Sequence, residues 1–370
     1  MNNNKLTKEQ FVDILKTIQI NETLDLDFLY DVYDLSFSAI SELIENNVLK
    51  QAIAINSYTL INYIIGEYTY SLSNRTEEEK NKFLNVENMS VMMASVVSDK
   101  YMTMDFFPSK EKGLSNKYLP PISSLDTFLN FMINMLNRIE KNDPMKTLLS
   151  DLLSKSLSIA RCILELLVNG FETEAMALWR TLHECECILK LLNENDENTR
   201  KSYLKHMNYS IVYHNGASTK EETDKIFEQI KEEMRQYDLK SKDIKKFIEY
   251  GWLYSTKEYK ETPNIKLNFR DGLETLAGLH IYSKLYEQTS EIVHSTPMLI
   301  YSSRIYYYLT ALINTYESFF RIEGVFKKIF DQKNNEFQRA QYENMRRVYY
   351  SQLLSIHKNE TKRFEKLINK

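Results

Sequence analysis

"ALWRTLHECECILKLL", residues 177–192, is apolar on nearly every side, yet it carries Arg180, His183 and Glu184 within five consecutive positions. At 100° per residue, Ala175, Leu178, Leu182, Cys185, Leu189 and Leu192 fall on one apolar face. Met176, Arg180, Glu184, Cys187 and Leu191 fall opposite, and Trp179 widens the apolar cover. A helix that is apolar on both faces belongs at the centre of a bundle. The stretch therefore predicts an all-α fold, with Arg180 and Glu184 as an i,i+4 pair on an inner face. Charges taken out of water must be paired, because desolvation is costly. If the two only satisfy each other and fix helix register, His183 falls on the rim.

Composition points the same way. Gly and Pro number 8 and 6 in 370 residues, whereas average usage would give roughly 44 together. So few chain-breakers leave long uninterrupted segments, which means helices. No GxGxxG or GxxxxGK[ST] stretch occurs, so Gly-rich phosphate loops are excluded. The formal net charge of −4 gives no global attraction to nucleic acid or anionic lipid. Charge is unevenly spread, however: residues 1–50 are acidic and residues 321–370 are basic. The three cysteines, Cys162, Cys185 and Cys187, are too few for a disulfide framework. Cys185 and Cys187 diverge on a helix and read as small buried hydrophobes rather than metal ligands. Neither a signal-peptide pattern nor a run of 18 apolar residues is present. A reducing, cytoplasmic setting with no membrane contact is expected, and the Asn, Lys, Ile and Tyr content suggests a bacterial source.

Along the chain, "YMTMDFFPSKEKGLSNKYLPPIS", residues 101–123, concentrates three prolines and a glycine and reads as a linker. It separates an N-terminal helical region, 1–115, from a helical bundle domain, 124–370, that ends in a basic helix. Helices are expected at 7–20, within 25–72, and at 124–140, 144–169, 172–194 and 197–215. A charged surface pair follows over 219–250, then helices at 271–295, 299–322 and 335–369. "NG" at 169–170 is a natural C-cap. The aromatic-rich "SRIYYYLTALINTYESFF" offers a face for a homodimer.

A second polar constellation lies in "YSKLYEQTSEIVHST", residues 282–296. Tyr282, Tyr286, Ser290 and His294 recur every four residues, forming a stripe of hydroxyls that ends in an imidazole near a helix C-terminus. Lining one cleft, the two constellations would offer a cation for a phosphate oxygen and a His and a Glu for proton transfer. Neither an HExxH nor a clustered-carboxylate metal signature occurs, so no metal and no cofactor are expected. His206 and His214 read as helix surface, His280 and His357 as structural or exposed, and Trp252 as packing under a loop.

"EAMALWRTLHECECILKLL" and "YSKLYEQTSEIVHSTP" resemble the two signature helices of the bacterial domain-of-unknown-function 5677 family. The likeness covers about residues 145–315. Arg180, Glu184, Tyr286, Ser290 and His294 match position for position, whereas the family more often has an apolar or aromatic residue where His183 stands. The family's helical layout is similar to that of the HEPN group, whose nucleases cut RNA with an Arg-x4-to-6-His pattern. Here Ser290, not Arg, stands four residues before His294.

The resemblance implies a HEPN-like cytoplasmic protein, with a metal-independent ribonuclease of toxin or phage-defence type as the leading expectation. In that reading Arg180 holds a phosphate, His294 is the general acid and base, and Glu184 orients Arg180 or shares proton transfer. Tyr282, Tyr286, Ser290 and His183 bind substrate, and the partners are RNA or a nucleotide. The alternatives are a non-enzymatic sensor for a small anion such as a nucleotide, and a structural interaction protein.

Overall fold

The computed structural model describes residues 5–17, 24–46, 54–73, 75–106, 119–136, 144–217, 219–262, 265–293, 303–333 and 336–369. All the regular structure in these residues is helical, and the fold is an all-α helical bundle. The chain divides into two compact units, residues 1–114 and 115–370.

The first unit holds α1 (Lys8–Thr17), α2 (Leu26–Glu45), α3 (Ser57–Leu72), α4 (Glu77–Leu84) and α5 (Met89–Tyr101). Polar residues mark their starts. The Thr7 and Gln10 side chains each bond the other's backbone N–H, and Thr76 and Glu79 do the same for α4. Asp25 and Asn56 accept from the first turns of α2 and α3. Phe11, Val32, Tyr33, Ile61, Ile64 and Val97 close one core.

The second unit is built on α6 (Pro120–Leu136), α7 (Pro144–Val168), α8 (Glu172–Glu194), α14 (Arg304–Lys333) and α15 (Glu336–Ile368). Between α8 and α14 run α9 (Glu197–Asn215), α10 (Lys220–Arg235), α11 (Ile244–Tyr250), α12 (Lys257–Glu261) and α13 (Ser283–Val293). Helix α8 packs on both α7 and α14, so the quoted stretch is central to the bundle. Its boundaries follow local signals: Gly170 takes φ +74° after α7, and Asp196 caps α9.

Three expectations are corrected here. The helix expected at 271–295 is broken into a π-turn at Phe269–Glu274, a 3-10 turn at His280–Tyr282 and then α13. Gly278 takes φ +66°, and Gly272 lies against the backbone of Lys266, whose carbonyl oxygen would be 2.3 Å from an added Cβ. Apolar periodicity ran across both glycines. The stretch at 303–320 is core rather than a dimer face, because Tyr307, Leu309, Leu312, Tyr316 and Phe319 are buried within the bundle. His206 is buried on α9 instead of exposed, where it touches Phe247 and the Ile248 carbonyl. By contrast Trp252, in the turn after α11, is buried as expected.

Candidate functional site

The inward stripe of α8 is Ala175, Met176, Trp179, Leu182, His183, Glu186, Leu189 and Leu192. Arg180 and Glu184 lie beside it, half-exposed, rather than on an inner face. This reverses the expected phase: the polar group at the centre is His183, which is fully buried. The reason lies outside the helix, since the partners that draw His183 inward sit on distant segments.

His183 stands between two buried carboxylates. Its Nε2 is 2.9 Å from Glu274 Oε1, on the π-turn, and its Nδ1 is 3.7 Å from Glu186 Oε2, one turn along α8. Trp179 stacks on one ring face at 5.0 Å, and Phe269 and Tyr282 meet the ring edge-to-face. Burial by itself opposes the charge, but the contacts with Cys187, Glu186 and Glu274 outweigh it and push the imidazole up to about 11. The two carboxylates beside it thus favour the protonated ring. Glu186 is held below the usual carboxylate range: burial works against this, but His183 and Arg321 outweigh it.

The network continues into α14. Arg321 grips both oxygens of Glu186, lies over the Tyr282 ring at 4.5 Å, and donates to the Tyr282 hydroxyl at 2.5 Å. Tyr282 donates in turn to Glu317 at 2.6 Å, and His357 of α15 lies 3.4 Å from Glu317. Burial is the main cause that lifts Tyr282 to about 12, so it stays a neutral donor. One file of charges thus joins the π-turn, α8, α14 and α15. Glu186, Glu274 and Arg321 escaped the sequence reading. The only local signal was Glu186, three residues after His183.

Beside this file lies a second, more exposed cluster, where the structure brings Arg180, Glu184 and Tyr286 together. Arg180 Nε donates to Glu184 Oε1 at 3.2 Å, and the guanidinium lies 4.3 Å over the Tyr286 ring. The Tyr286 hydroxyl also donates to Glu184 Oε1. Burial and that bond push the Tyr286 hydroxyl well above its ordinary value. The Tyr286 ring stacks on Phe269 at 4.3 Å. Ser290, one turn further along α13, is half-buried, with no side-chain hydrogen bond among the described residues. His294 lies outside the described residues.

His183 cannot touch a substrate from its sealed position, which corrects the expectation that it lines a binding surface. Among the described residues no group of three or more His, Cys, Asp or Glu could hold a metal ion. Nor is any described helix long and apolar enough to cross a membrane. Cys187 is buried and Cys185 is half-buried against the core, so the buried reading holds for the first and in part for the second, while Cys162 is exposed.

The fold and this pair of signature helices define the class. Residues 146–305 match the family model described as "Family of unknown function (DUF5677)", a span that takes in both of the helices whose sequences resemble that family. No curated protein and no solved structure matches the chain significantly.

Proposed function

We propose that the bundle domain recognises a phosphate-bearing anion through Arg180, and that the chemistry it serves is metal-independent cleavage of RNA. The observation that supports this is the Arg180–Glu184–Tyr286 cluster. Its guanidinium is fixed by a carboxylate on its Nε edge and by an aromatic face beneath, yet its side chain remains 30% exposed. Among the described residues Arg180 makes no second ion pair. A cation oriented in this way can meet phosphate oxygens with two parallel N–H donors. Ser290 follows Tyr286 on the same stripe of α13, and both position the ligand, while Tyr282 holds the helix from beneath through Arg321. His294, four residues after Ser290 in the sequence, takes the proton from the ribose 2′-hydroxyl as that oxygen attacks phosphorus. The bond from phosphorus to the 5′-oxygen breaks, the 5′-oxygen leaves with a proton returned by the same imidazolium, a 2′,3′-cyclic phosphate remains, and Arg180 stabilises the charge gained at phosphorus. In a bacterial cytoplasm such an activity suits a toxin or phage-defence protein of HEPN-like build.

A second reading, a sensor that holds a nucleotide without turning it over, is favoured by one observation. A single oxygen of Glu184 accepts from both Arg180 and Tyr286, which occupies it as an anchor for the guanidinium rather than as a partner for substrate. Binding and cleavage of a labelled RNA oligonucleotide, with chelator present, separate the two. Arg180→Ala should lose binding, and His294→Ala should keep binding but lose cleavage. Binding without cleavage by the wild type would select the sensor. If the wild type binds neither RNA nor nucleotides, or Arg180→Ala changes nothing while the helical content is intact, both readings fail.

A further inference from the structure

We infer that a second ligand site, separate from the Arg180 cluster, lies between α8 and α14 and takes a small organic anion with an apolar body. The two helices do not close on each other along their full length. They leave a cleft of about 240 Å³, floored by the Glu186–Arg321 ion pair and walled by Leu189, Ile322 and Val325. Glu186 is 2% exposed while Arg321 keeps 27% of its side chain exposed, so the cleft reaches a buried carboxylate through a partly exposed guanidinium.

Gly324 opens this space. It stands in the middle of the 30-residue α14, where glycine is the least favourable residue after proline. Its backbone has no positive φ, and an added Cβ would meet no atom within 4 Å. Neither backbone geometry nor packing against the protein asks for a glycine there. The missing side chain leaves the cleft open at this exposed point.

The lining charges select the occupant. Glu186 and Arg321 neutralise each other on the floor. On the rim, Lys328 has no ion pair or hydrogen bond among the described residues. Lys190 donates to the Ala277 carbonyl at 2.6 Å but makes no ion pair there. With Glu194 the only other acid, the lining carries three cations against two carboxylates. An anionic head between Lys190 and Lys328, with an apolar body on the leucine, isoleucine and valine wall, satisfies both halves of the cleft. The volume equals about eight waters at ~30 Å³ each, and falls below the ~300 Å³ at which drug-sized sites begin. A one-ring carboxylate or phosphate monoester suits a space of this size.

The test uses the full chain, with phenyl phosphate and benzoate as probes, followed by calorimetry. Ligands of this size should bind with Kd on the order of 1 mM. Gly324→Leu fills the mouth of the cleft and Lys328→Glu reverses the rim charge, and each should weaken binding roughly tenfold or more. The titrations are run on Arg180→Ala, which removes the phosphate site proposed above; binding of both probes to the cleft should persist there, so the failure of one site is distinguishable from the failure of the other. Inorganic phosphate, which lacks the apolar body, should bind distinctly more weakly. The proposal is overturned if neither probe binds the Arg180→Ala protein saturably, if inorganic phosphate binds as well as phenyl phosphate, or if adding Lys328→Glu leaves binding as it was while the melting curve is unchanged.

Discussion

Replacing His183 by leucine should destabilise residues 115–370 by about 3–5 kcal/mol, the usual cost of removing one partner from a buried pair. The stranded group is Glu274. It is fully buried, its Oε1 loses the 2.9 Å contact to His183, and its Oε2 faces only His280 at 3.7 Å. Glu186 suffers less, because Arg321 still holds it. In a unit of this size each kcal/mol moves the midpoint by roughly 2–4 °C, so the melting temperature should fall by about 10 °C. The assay is urea or thermal unfolding followed by tryptophan emission. Both tryptophans, Trp179 and Trp252, are buried in this unit, so the signal reports on it alone. Adding Glu274→Leu to His183→Leu removes the orphaned charge and should recover much of the loss, with a coupling energy of about 2 kcal/mol or more. If the single substitution costs under about 1 kcal/mol and the double costs the sum of both singles, the ionic account of this core is wrong.

The same pair sets a pH dependence. The folded imidazole is raised from 6.5 to about 11, so its contribution is complete below pH 6.5 and declines as pH rises toward 11. Between pH 7 and 9 the wild type should lose stability by up to about 1.4 kcal/mol per unit, and His183→Leu should lose that slope in urea titrations. His206 behaves oppositely. Burial lowers it to about 4, so stability falls as pH drops from 6.5 toward 4, and His206→Gln should flatten that limb. Gly324→Ala should raise the unfolding free energy read from urea titration by up to about 1 kcal/mol, since nothing lies within 4 Å of the new Cβ. Gly272→Ala should cost about 1–3 kcal/mol or more, because its Cβ would sit 2.3 Å from the Lys266 carbonyl oxygen. An unfolding series in which the two alanines act alike would contradict these glycine assignments.

Local chemistry made much of the bundle legible. Pro144, the Asn169–Gly170 stop and the Asn195–Asp196 start lie where the ends of α7, α8 and α9 fall. The break inside 271–295 was hidden because its cause is a backbone approach by Lys266, which no helical wheel contains. The polar centre was half legible. Apolar wrapping marked α8 as central, and Tyr286 does meet Glu184. Which of Arg180 and His183 turned inward depended on Glu274, 91 residues away, and on Arg321, which reaches Glu186 across 135. Pairings at such separations leave no trace in local spacing. Wheels alone therefore favoured the i,i+4 pair over the residue beside it.

The charged file from Glu274 through His183, Glu186, Arg321 and Tyr282 to Glu317 also limits how this chain can change over time. Losing a partner at its sealed end costs a sizeable part of the 5–15 kcal/mol that keeps a typical domain folded. Exchange of that interior for an apolar one has to pass through a poorly folded ancestor or occur at several positions at once. The outer cluster of Arg180, Glu184 and Tyr286 bears no such penalty, since its charges remain half in water. The inner file is thus an evolutionary anchor, and the surface beside it is where a new specificity can be acquired one substitution at a time.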